Sequence, residues 1–255
     1  MEIKSYKKCS NNRYEVSLSN GEKYKIYDDL ILKYELLINK NINNKRLEEL
    51  LDENKLYDAY YQAISYIAYK MRSKKEIKDY LKKKDYSTYD IAYTIDKLVE
   101  NGYINDEKYT KAFVFDSLNL SSKGPKKIKN ELIKAGVSNI YIDKELDNID
   151  YNIWEERIDK IISKKSKTNK DSLLVFKKKL KEFLIKEGYD TEMINQKVSN
   201  INFNTDDIFL KEANKVWNKL SIKEKDDVLK YKFKNKMYLK GFTQEQINKF
   251  LEEVE

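Results

Sequence analysis

A short turn signature recurs four times along this chain. Asp85-Tyr86-Ser87, Gly136-Val137-Ser138, Gly188-Tyr189-Asp190 and Gly241-Phe242-Thr243 follow one another at spacings of 51, 52 and 53 residues. Each triplet has a physical reading. Gly or Asp suits the left-handed position that ends a helix. The second residue is apolar and plugs a core at the turn. The third, Ser, Asp or Thr, is an N-cap for the next helix. Four residues after each cap stand Ile91, Ile142, Ile194 and Ile247, and four further on Ile95, Leu146, Val198 and Leu251. That is one helical stripe, four times over. The helix before each triplet matches as well, with Ile77, Ile128, Leu180 and Phe233 in register, then Leu81, Leu132, Leu184 and Met237.

A third helix opens each unit, around 59–69, 107–118, 153–162 and 210–220. The first 27 residues read differently. Three short strands are expected over 3–8, 13–18 and 22–27, with Asn20-Gly21 forming a type I′ hairpin turn between the last two. Asp28-Asp29 would cap a helix over 30–37, and Asn43-Asn44 another that carries Leu47, Leu50 and Leu51. The expected fold class is therefore mainly α: an elongated array of four tandem three-helix repeats preceded by a small α/β N-terminal cap. The expected limits are 1–56 for the cap, then 57–103, 104–150, 151–203 and 204–255. Units of this length stack on their neighbours, and a terminal element shields the end of the stack. An independent binding domain is the other reading of the cap.

Composition removes several chemistries. The chain has 255 residues with no His, one Cys, one Pro and six Gly. No His-based triad, His metal site or thiolate cluster can form. The glycines fit neither a dinucleotide-binding fingerprint nor a phosphate loop. Asp28-Asp29, Asp206-Asp207 and Asp226-Asp227 could hold Mg²⁺, but such pairs are commonplace in so charged a chain. The expectation is no cofactor and no enzymatic activity. The lone Cys9, with no signal peptide and no span of apolar residues, points to a cytoplasmic protein that neither enters nor crosses a membrane.

Charge is uneven. The formal net charge is +8. The middle helix of each unit, with its lead-in, is strongly basic: net +6 over 70–84, +4 over 123–134, +7 over 164–181 and +5 over 230–240. The third helices at 85–103 and 135–150 are each net −3. One position is Lys in all four units: Lys78, Lys129, Lys181 and Lys234. The position of Lys75 is filled by Lys126, Lys178 and Tyr231. Such a band suits a polyanion, because each neutralised phosphate releases counterions. The other reading is a solvated face of a Lys-rich protein. Trp154 and Trp217 read as core anchors. Tyr60, Tyr61, Tyr66 and Tyr69 share one helix, where packing competes with stacking on bases. Pro125 suits the first turn of the second middle helix.

Two stretches resemble the RecX family: 71–77 through Tyr80-Leu81, and 118–128 through Glu131-Leu132. Between them, 98–107 and Ala112-Phe113-Val114 resemble that family's spacer. The chain departs from the family pattern at Met71 and Ser122, where Pro is usual, and at Asp85, where a turn Gly is usual. The resemblance implies a non-enzymatic regulator of the RecA recombinase. Such a protein binds along the groove of the RecA–single-stranded DNA filament, inhibits ATPase and strand exchange, and favours filament disassembly. It belongs to DNA repair, homologous recombination and the SOS response. The family commonly has three repeats, and a fourth occurs in longer members. The expected partners are the recombinase filament and single-stranded DNA, with double-stranded DNA bound weakly and the protein monomeric. The candidate DNA- or filament-binding residues are Arg72, Lys74, Lys75, Lys78, Lys82, Lys123, Lys126, Lys127, Lys129, Lys178, Lys181 and Lys234. A general nucleic-acid-binding helical protein without a recombinase partner is the alternative.

Overall fold

A computed structural model describes residues 1–10 and 12–254. Three strands, β1 (Ile3–Lys8), β2 (Arg13–Leu18) and β3 (Lys23–Tyr27), form an antiparallel sheet in the order β1-β2-β3. Thirteen helices follow among the described residues: α1 (Asp28–Lys33), α2 (Asn44–Tyr69), α3 (Lys74–Lys82), α4 (Thr88–Glu100), α5 (Asp106–Leu120), α6 (Pro125–Lys134), α7 (Asn139–Asp147), α8 (Tyr151–Lys167), α9 (Leu173–Glu187), α10 (Thr191–Ser199), α11 (Asp206–Ser221), α12 (Asp226–Leu239) and α13 (Gln244–Val254). They form two compact units, Met1–Thr110 with Lys134–Tyr141, and Lys111–Ile133 with Ile142–Glu255.

In the first unit, the structure differs from four local expectations. The β2–β3 turn is not type I′. Gly21 has φ +88°, but Asn20 is not left-handed. Gly21 N–H donates to Leu18 O at 3.0 Å and Leu18 N–H to Glu22 O at 2.9 Å. This is a three-residue connection, a type I turn closed by a left-handed Gly, so only one residue needs positive φ. Asp28-Asp29 do not cap α1: its N-cap is Tyr27 without a side-chain bond, and both carboxylates sit in the first turn. There they complement the helix dipole. The helix stops at Lys33, short of Leu37. Finally, α2 is unbroken from Asn44 to Tyr69, running through the expected limit at residue 56. Its first half gives Leu47 and Leu50 to the sheet core with Ile3, Val16, Leu18 and Ile26. Its second half gives Ala59 and Ala63 to the core of Ile77, Leu81, Ile95 and Leu98.

One carboxylate ties these cores together. Asp58 accepts hydrogen bonds from the Tyr27 hydroxyl at 2.9 Å and from the Tyr86 hydroxyl, and Arg13 lies 3.3 Å away. The cap, α2 and the first turn triplet thus share a single polar node.

The four triplets behave as the spacing expects. Asp85, Gly136, Gly188 and Gly241 have φ of +63°, +78°, +86° and +80°. Val137, Tyr189 and Phe242 are buried. Ser87 caps α4 in a capping box with Asp90, and Asp190 caps α10. Ile140 N–H donates to the Ser138 hydroxyl, and Gln246 N–H to that of Thr243.

A second role of the turns comes from packing. In the first unit the buried Ser73, N-cap of α3, donates its hydroxyl to Ala135 O at 2.6 Å. The Lys75 ammonium donates to Lys134 O at 2.8 Å. In the second unit Gly124 N–H donates to Glu187 O at 2.7 Å and Lys126 N–H to Gly188 O at 3.1 Å. Ser172 N–H, at the start of α9, donates to Lys240 O at 2.9 Å. The starts of α3, α6 and α9 each receive the carbonyls that end the following middle helix. Orphan donors of one helix end thereby meet orphan acceptors of another. The fit is tight. A Cβ built on Gly136 would stand 2.6 Å from Lys75 Cβ, and one on Gly188 2.8 Å from Lys127 Cβ.

The second unit also holds Arg157 of α8. Its guanidinium donates to the carbonyls of Ser117 at 3.1 Å, Ser121 at 2.8 Å and Lys123 at 3.2 Å, and to that of Leu118. It fixes the end of α5 and the lead-in to α6. Trp154 is buried, and Trp217 packs edge-on against Phe233 at 5.4 Å.

Candidate nucleic-acid interface

The middle helices are short amphipathic segments. In α3, Ile77 and Leu81 are fully buried, while Lys75, Lys78 and Lys82 are exposed. In α9, Phe176, Leu180 and Leu184 are buried, Lys178 is exposed and Lys181 half-buried. In α12, Leu229, Phe233 and Met237 are buried and Lys234 is half-buried. Apolar residues at helical spacing fix one face, so the intervening lysines take the other.

The twelve sequence-selected cations divide into two groups of six. Six are engaged inside the protein. The Arg72 guanidinium lies 4.0 Å from the Tyr66 ring centroid and 3.5 Å from Glu76. Tyr66 in turn stacks on Tyr80 at 4.1 Å, so Arg72 closes an aromatic sandwich. Lys75 donates to Lys134 O. Lys123 pairs with Glu131 and lies 5.0 Å from the Phe113 ring centroid. Lys126 pairs with Asp190 at 2.9 Å, Lys127 with Glu187 at 2.9 Å and Lys129 with Asp143 at 2.7 Å. The hydrogen bond from Lys126 holds the Asp190 carboxyl below the ordinary carboxylate range.

The other six, Lys74, Lys78, Lys82, Lys178, Lys181 and Lys234, have no carboxylate, carbonyl or ring partner for their ammonium groups among the described residues. The invariant-by-repeat position is thus free in Lys78, Lys181 and Lys234 and paired in Lys129. In the first unit Lys78 and Lys82 lie on α3. In the second unit Lys178 and Lys181 lie on α9 and Lys234 on α12.

Sequence reasoning passed over Arg157. A single Arg among many lysines carries no periodic signal, and its partners are backbone carbonyls 34 to 40 residues away. It likewise could not see that Lys126 and Lys127 meet acids of the next turn. The Asp206-Asp207 and Asp226-Asp227 pairs sit in the first turns of α11 and α12. Like Asp28-Asp29, they complement helix N-termini. Among the described residues no group of three or more His, Cys, Asp or Glu could hold a metal ion. Among the described residues no helix is long and apolar enough to cross a membrane.

Comparison with known proteins adds to this geometry. Residues 59–98 match the family model described as RecX, first three-helix domain, and residues 105–146 the one described as RecX, second three-helix domain. Over 255 residues the chain is 32% identical to regulatory protein RecX of Bacillus cereus, covering 96% of this chain and 94% of that one. It is 28% identical over 257 residues to regulatory protein RecX of Oceanobacillus iheyensis, covering 96% and 94%. A crystal structure of regulatory protein RecX aligns with TM-score 0.62 at 19% identity, over 79% of this chain and all of that one, and shows the shared fold. That of RecX from Lactobacillus salivarius aligns with TM-score 0.51 at 27% identity, over 58% of this chain and 99% of that one. Helix triplets, turn signatures and near full-length similarity converge: the chain belongs to the RecX family.

Proposed function

We propose that this chain is a non-enzymatic regulator of the RecA recombinase. It binds along the groove of the RecA–single-stranded DNA filament, inhibits ATPase and strand exchange, and favours filament disassembly. It acts as a monomer in the cytoplasm and binds double-stranded DNA only weakly. Near full-length similarity to proteins named regulatory protein RecX carries this reading. The free lysines of α3, α9 and α12 support it, because ammonium groups without internal partners are available to phosphates. Six is a meaningful number: six phosphate contacts already give a steep salt dependence. Of the paired lysines, Lys75, Lys126 and Lys127 serve the joints instead.

The deciding experiment compares binding to the recombinase filament with binding to bare single-stranded DNA, together with ATP turnover by the filament. Tighter binding to the filament, with slowed turnover and no hydrolysis by the protein alone, is expected. Equal affinity for both, with turnover unaffected, would leave only a general nucleic-acid-binding protein.

A further inference from the structure

The outward face of the fourth middle helix differs from the other three. At the position held by Lys75, Lys126 and Lys178, α12 carries Tyr231. At that of Lys82, Ile133 and Ile185 it carries Tyr238. Both rings face away from the buried Phe233 and Met237, and they are 68% and 42% exposed. Neither ring has a ring or cation partner among the described residues. Seven residues apart on a helix, they lie within about 20° of one another and about 10 Å apart along the axis. Exposed tyrosines on a helix that has its own core are not needed for packing.

The surroundings are cationic. Residues 230–240 hold five Lys and no acid. Lys232 pairs with Glu224, while Lys234 and Lys236 have no partner among the described residues. Asp226 and Asp227 open α12, Asp227 one turn before Tyr231 on the same face.

We propose that Tyr231 and Tyr238 stack on unpaired bases of single-stranded DNA, with Lys234, which lies between them on the same side of the helix, meeting a flanking phosphate. This deepens the proposed function and rests on its single-stranded partner. Every base has a π-face, so two rings in a cationic strip bind a strand without reading its sequence. The separation of about 10 Å exceeds the 3.4 Å rise per base of a stacked strand. Each ring therefore takes its own splayed base. A duplex hides its base faces, so the rings add nothing there. The fourth repeat thus supplies preference for single strands, while lysines elsewhere supply attraction to any strand.

The test uses the full chain with Tyr231→Ala and Tyr238→Ala together, folding being checked by its thermal transition. Probes are oligo(dT), an abasic strand of equal length and a duplex, titrated at several salt concentrations. Expected is a loss of about tenfold or more for oligo(dT). The salt slope should be unchanged, as should binding to the abasic strand and the duplex, and Tyr→Trp variants should retain wild-type affinity. Equal losses on abasic and base-bearing strands would overturn the proposal. So would unchanged oligo(dT) binding, including the case where only inhibition of the filament is lost, which would assign the rings to a protein surface. A protein that ignores the recombinase yet still separates oligo(dT) from the abasic strand would refute the proposed function and leave the stacking intact.

Discussion

Gly188 is constrained twice, by its φ of +86° and by the Lys127 backbone and side chain lying against it. Gly188→Ala should therefore cost about 2–4 kcal/mol, combining left-handed strain with overpacking. Asp85 shares the backbone conformation at φ +63°, and no preceding middle helix donates to its turn. The open turn accommodates the Asp side chain, and Asp85→Gly should leave stability within about 1 kcal/mol. Urea denaturation of both variants checks the contrast. Two tyrosines make a second residue-scale prediction. Burial, followed by the hydrogen bond to Asp29, pushes the Tyr61 hydroxyl up to about 12. Burial, followed by the charge of Glu76, does the same to Tyr109, also to about 12. A raised pKa means the fold prefers the protonated phenol. That stabilisation is complete below the ordinary tyrosine value of about 10 and is lost as pH rises through about 12. Tyr61→Phe and Tyr109→Phe should each flatten the fall in urea midpoint between those two pH values.

Helix ends dominate at the scale of elements. Each of the three joints sets the amide, hydroxyl or ammonium donors that open one helix against carbonyls that close another. Ser73 fills both parts of such a joint, accepting from Glu76 N–H at 3.1 Å and donating to Ala135 O. Ser73→Ala should cost about 1–3 kcal/mol, since it leaves a buried carbonyl and an amide unpaired. Arg157→Lys should be nearly as damaging as Arg157→Met, about 2–4 kcal/mol, because one ammonium cannot reach carbonyls spread from residue 117 to residue 123. Thermal melts of the three variants decide both points. The helix triplets themselves were legible, because their apolar stripes are local and repeat in register. The unbroken α2 was not. Its two halves face different cores, so its apolar positions drift between faces and suggest two helices. The hairpin's turn type is not legible because Asn-Gly is compatible with two loop lengths, and only the ladder register selects between them. The joints were invisible for a further reason: their partners lie about sixty residues apart, beyond any periodicity.

At the scale of the whole molecule, the basic band is two populations that sequence alone merges. Composition counts lysines without saying which already have a carboxylate, and the partners of Lys126 and Lys127 lie in the next repeat. Two sets of substitutions separate them. Changing Lys78, Lys181 and Lys234 to Gln removes charges with no internal partner, so the thermal transition should hardly move. Binding to single-stranded DNA should weaken for every base sequence, because phosphate contacts carry no sequence information. The salt dependence should flatten by about 0.7 per lost contact in log K against log salt. Changing Lys126, Lys127 and Lys129 to Gln breaks three ion pairs instead and should lower stability by about 1–2 kcal/mol, while leaving the salt slope close to wild type. The two sets remove equal charge, so a net-charge effect would shift both slopes alike. Equal shifts would mean that the protein's overall field attracts the strand. A flatter slope in the first set alone would place the phosphates on the lysines that the fold leaves unpaired.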